Sequence, residues 1–99
     1  MTVAAQPYAQ AIFELAKEQD VVESVSQDLA LASELCQYAE VDQLLKTPGV
    51  PAQDIARVIR ALAKREFSSL FDSFTERLVV AKRLNIIPAI NKRFRMIQL

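Results

Sequence analysis

The twelve residues from Tyr8 to Gln19, YAQAIFELAKEQ, decide the fold class. Set on a helix at about 100° per residue, their apolar side chains run Ala11, Leu15, Tyr8, Ile12, Ala16, Ala9 and Phe13 over an arc of about 200°. Gln10, Glu14, Lys17 and Glu18 share the remainder. The period is that of a helix. The arc is nevertheless too wide for a helix lying on a single core, which needs an apolar stripe of only about 100°. A second covering surface is therefore implied for this segment.

The rest of the chain extends the helical reading. Its 99 residues suffice for one domain with a modest core, and 52% hydrophobic with 24% charged residues is a globular balance. Gly49 is the one glycine, flanked by two of the four prolines in TPGVP (residues 47–51), while strand-like alternation persists nowhere. The spacing predicts a first helix from about Val3 to Gln19, with Pro7 tolerated in its first turn. Asp20 and Glu23 have capping-box spacing, so a second helix is expected to start there. Val22, Val25, Leu29, Ala32 and Cys36 give it a firm stripe, widened by Leu31, Leu35 and Tyr38, so it reads as the central helix. Cys36 reads as a small core residue.

A short third helix over Val41 to Lys46 ends at TPGVP. Pro51 opens a fourth, with Ile55, Val58, Ile59 and Leu62 facing inward. Ser69 with Asp72 caps a fifth that runs to about Lys82, and Ile87, Ile90, Phe94 and Ile97 step along a sixth. The expected architecture is an all-α six-helix bundle, a single domain over residues 1–99.

Enzymatic chemistry is poorly provided for. The chain has no histidine, a single cysteine, and too few glycines for a phosphate-cradling loop. No Cys/His set is available for zinc, so no catalytic, cofactor-binding or metal-binding residue is expected. No apolar run exceeds four residues, as in Leu78 to Ala81, far too short to span a bilayer, and MTVAAQPYAQ lacks the basic start of a secretory signal. With no internal disulfide available, the expected location is the cytoplasm.

Net charge is zero, but residues 1–54 hold nine acids and two bases, and residues 55–99 hold ten bases and three acids. The simplest reading is two sets of solvated helix faces that attract each other on folding. The alternative is a basic surface for an acidic partner. A basic nucleic-acid-binding domain is disfavoured by the zero net charge and by the want of a recognition-helix turn or exposed aromatic pattern. What remains is an interaction module.

Two stretches carry a resemblance to a known family. PYAQAIFELAKEQ (residues 7–19) contains a Tyr-Ala-x-Ala-[Ile/Leu]-[Phe/Tyr] run in Tyr8, Ala9, Ala11, Ile12 and Phe13. KRLNIIPAINKRF (residues 82–94) contains Arg-Leu-x-x-[Ile/Leu]-Pro-x-[Ile/Val] in Arg83, Leu84, Ile87, Pro88 and Ile90. At this separation the pair resembles the ends of the N-terminal domain of the F-type ATP synthase delta subunit, the oligomycin-sensitivity-conferring protein family. Lys82 departs from the pattern, standing where the family often has Gly, and REFSSLFDSF (residues 65–74) is a looser match. The family's C-terminal, stalk-binding part has no counterpart here, so the chain is read as a domain fragment.

The resemblance implies a non-catalytic stator component that caps the catalytic head and couples rotation to ATP synthesis. It would sit peripherally on the cytoplasmic face of a bacterial inner membrane, without inserting, and would need no cofactor. Its implied partner is the N-terminal helix of an alpha subunit, held in a groove between the first and fifth helices; the peripheral stalk would be met only through the missing part. On that reading Ala9, Ile12, Ala16 and Phe13 face the core while Tyr8, Ala11 and Leu15 line the groove. The expected partner-binding set is Tyr8, Ala11, Ile12 and Leu15 with Phe74, Arg77, Val80 and Ala81. The alternative is an unrelated helical adaptor that binds another amphipathic helix.

Overall fold

The computed structural model describes residues 5–99, and its helices begin and end where local chemistry permits. They are α1 (Ala5–Glu18), α2 (Val22–Cys36), α3 (Ala39–Lys46), α4 (Ala52–Ala63), α5 (Ser69–Ala81) and α6 (Ile87–Gln98), with one 3₁₀ turn, Leu84–Ile86, before α6. Six helices and no strand among the described residues make the fold all-α, as the sequence led us to expect. The expected start of the first helix at Val3 lies outside the described residues.

Two helix ends are Schellman motifs built without glycine. Asp20 adopts φ 59°, its N–H donates to the Lys17 carbonyl (3.2 Å), and the Val21 N–H donates to that of Ala16 (2.8 Å). Asp20 therefore terminates α1 and does not open α2. The residue before α2 is Val21, which supplies no side-chain cap, and Glu23 contributes only a favourable charge in the first turn. Lys82 repeats the arrangement after α5: φ is 60°, and the Lys82 and Arg83 N–H groups donate to the Val79 (3.0 Å) and Leu78 (2.8 Å) carbonyls. A left-handed residue at Lys82 accounts for glycine suiting this position.

The α5 cap falls one residue before the expected Ser69. Ser68 Oγ accepts the Phe71 N–H at 3.3 Å. The cap is itself anchored, because the Ser68 N–H donates to Asp28 Oδ2 at 2.9 Å. Asp28, almost wholly buried on α2, also receives Arg65 Nη1 on Oδ1 at 2.9 Å. One carboxylate thus ties the α4–α5 connection to the central helix, and this pair joins the acidic half of the chain to the basic half.

The core has α2 at its centre, packed against the other five helices. Val25, Leu29, Ala32, Leu35 and Cys36 are buried along it; Tyr38, expected to widen this stripe, is instead exposed at the start of α3. From α4 come Ile55, Ala56 and Ile59, while Val58 is half-buried and Leu62 is turned to the exterior. The inward arc of α4 is as wide as expected but rotated, taking in Ala56 in place of Leu62. Phe71, Phe74 and Leu78 of α5 and Ile87, Ile90 and Phe94 of α6 complete one contiguous cluster. Within it the Thr75 hydroxyl donates to the Phe71 carbonyl at 2.9 Å, which removes the cost of an unpaired buried group.

Cys36 is buried as expected. Desolvation, helped by the charge of Asp42, pushes its thiol up from 9.0 to about 11. The folded chain then keeps a proton that the unfolded chain releases, so stability falls as pH rises from 9.0 toward about 11.

Candidate functional site: the α1–α5 face

Helix α1 packs chiefly on α6 and secondarily on α2, and it touches α5 only along one flank. Ala5, Ala9, Ile12 and Ala16 form its buried stripe, about 60° wide at 100° per residue. On one side of the stripe Phe13 meets Phe94 of α6 edge to face, ring centroids 5.5 Å apart. On the other side Tyr8 meets Phe74 of α5 edge to face at 6.1 Å. Beyond Tyr8 the cover ends: Leu15 is 42% exposed and Ala11 is exposed as well. The broad arc seen in the sequence therefore has a buried centre, a covered flank and an open flank.

The expected site residues fall into four positions. Tyr8, Ala11 and Leu15 share the open flank of α1. Phe74, mostly buried midway along α5, forms the floor, with Ala81 and Arg77 exposed on the same helix. Ile12 belongs to the buried stripe and has no exposed surface. Val80, 82% exposed, stands about 120° round the helix from Phe74, on the Arg77 side and about 60° beyond it.

Sequence reasoning passed over two residues here. Arg83 follows the left-handed Lys82, and its guanidinium carbon lies 5.8 Å from the Tyr8 ring centroid, a cation–π distance. Leu70, half-buried, lies on the same side of α5 as Phe74 and Ala81. The Arg-Leu pair was visible as a motif, but its placement depends on the Schellman turn that ends α5, which no local pattern announces.

Concavities lie elsewhere, one of about 890 Å³ between α2 and α6 near Gln37 and Met96, another of about 520 Å³ between the α3–α4 connection and the end of α5. Neither brings together the acid, base and nucleophile of a catalytic site. Among the described residues no three His, Cys, Asp or Glu side chains are grouped to hold a metal, and no helix is long and apolar enough to cross a membrane.

Comparison with known proteins adds to this geometry. Residues 4–98 match the family described as ATP synthase delta (OSCP) subunit. The chain is 31% identical to the ATP synthase subunit delta of Marinobacter nauticus, an alignment covering 97% of this chain and 54% of that protein. Identity is 35% with the subunit delta of Rhizobium etli, over 94% of this chain and 50% of the relative, and 36% with that of Dehalococcoides mccartyi, over 91% and 49%. The chain spans about half the length of the curated relatives it matches. With two family-like motifs at its ends and a match running through all six helices, the chain belongs to the ATP synthase delta (OSCP) subunit family.

Proposed function

We propose that this chain is the head-docking unit of a rotary ATP synthase stator, a non-catalytic bundle that holds the N-terminal helix of an alpha subunit on the α1–α5 face. The observation that carries the reading is the open flank of α1, where Tyr8 meets Phe74 of α5 and Ala11 and Leu15 are exposed beside it, with no helix among the described residues laid over them. Small Ala11 admits a close helix backbone, and Tyr8 and Leu15 supply apolar area on either side of it. Covering such a face with a guest helix gives the broad apolar arc of α1 its second contact. Docking there restrains the catalytic head while the central stalk turns, which couples rotation to synthesis. The working location is peripheral, on the cytoplasmic face of a bacterial inner membrane, and stalk contact falls to the part of the relatives that this chain does not span.

The test is an NMR titration with a peptide copying the first twenty or so residues of an ATP synthase alpha subunit. Amide shifts concentrated on α1 and α5 are expected. No shift at millimolar peptide, or shifts confined to the α2–α6 cleft, would overturn the reading.

A further inference from the structure

The two rims of the α1–α5 face carry opposite charge. On α1 the residues next round from Ala11 are Glu18 and Glu14, both exposed. Glu14 accepts a hydrogen bond from Gln10 at 2.9 Å, which leaves its charge uncompensated. Across the face, Arg77 borders Phe74 on α5 and Arg83 is held over Tyr8. None of these four side chains forms an ion pair among the described residues, whereas Arg57, Arg60, Arg65 and Lys46 all do. An acidic rim and a basic rim thus run along either side of one apolar strip.

Turning an amphipathic helix end for end on its apolar stripe exchanges its left and right edges. We infer that the charged rims set the direction in which a guest helix lies: the face takes an amphipathic helix with basic residues along one edge and acidic residues along the other, its basic edge against Glu14 and Glu18 and its acidic edge against Arg77 and Arg83. This rests on the docking reading above. The apolar strip supplies the attraction and is indifferent to direction; the rims decide between the two directions, since the wrong one sets like charges together.

Two 18-residue helical peptides with the same apolar stripe test this, one with Glu on the first edge and Lys on the second, the other with the two exchanged. Each carries a nitroxide at its N-terminus, and the amides it broadens report direction, because a helix of this length separates its ends by about 27 Å. The expected result is broadening at the Tyr8 end of α1 with one peptide and at the Glu18 end with the other, the favoured direction outnumbering its reverse roughly tenfold. A variant carrying E14K, E18K, R77E and R83E should exchange the two outcomes, with circular dichroism confirming the fold. If both peptides lie in the same direction, or the fourfold variant changes nothing, the inference fails while docking stands. If neither peptide binds at millimolar concentration, the docking reading fails and takes this inference with it.

Discussion

The two flanks of α1 are made of similar material and meet different fates. Phe13 is matched by Phe94, and that side of the helix is closed by α6. Tyr8 is matched by Phe74, but α5 diverges from α1 and the neighbouring Ala11 and Leu15 are left without cover. Apolarity along a helix thus records that something is buried there, not whether the cover comes from the same chain. What distinguishes the flanks is the path of the chain after residue 63, which brings α6 alongside α1 and holds α5 further off.

Breaking the closed flank should have the largest effect. Phe94→Ala removes a wholly buried ring and its partner contact with Phe13, and is expected to cost about 3–5 kcal/mol in urea unfolding. A loss under 1 kcal/mol, well below the usual range, would mean that α6 does not close this side. Next comes the anchor that positions α5. Asp28→Ala strands the Ser68 N–H and removes the ion pair with Arg65, with an expected loss of about 2 kcal/mol and faster hydrogen exchange at Phe71.

On the open flank the expectation reverses, with stability spared and binding hurt. Ala11→Asp should leave the helical circular dichroism and unfolding midpoint nearly unchanged while weakening the alpha-subunit peptide by more than about 1.4 kcal/mol, tenfold in affinity. Unfolding by this substitution would place Ala11 in the core and erase the contrast between the flanks. The smallest effect sharpens the comparison through the turn that sets Arg83. Lys82→Gly relieves a left-handed side chain and should stabilise the chain by about 0.5–1 kcal/mol, read as a raised unfolding midpoint.

Much of this molecule could be read in advance. The helical period of Tyr8 to Gln19, the stripe of α2 through Val25, Leu29 and Ala32, and the step from Ile87 to Phe94 are properties of spacing, and the helices follow them. The errors share a cause. Asp20 and Ser69 have capping chemistry, yet Asp20 took a left-handed conformation to close α1, and Ser68 became the cap because Asp28 anchors its N–H. Leu62 and Tyr38 continue apolar stripes whose cover had already run out.

The candidate site was legible to the same extent. Tyr8, Ala11 and Leu15 were visible as a surplus of apolar arc, because periodicity counts faces. How far Ile12 and Val80 are exposed, not at all and 82%, could not be read from periodicity, and Arg83 was passed over because a reversal of backbone handedness aims it. By itself the sequence determined which segments are helices and which stripe of each is apolar, since both arise from interactions within a few residues along the chain. Only the tertiary structure decided which flank was closed, which stayed open and which charges came to border it, because those outcomes depend on contacts between helices far apart in the chain.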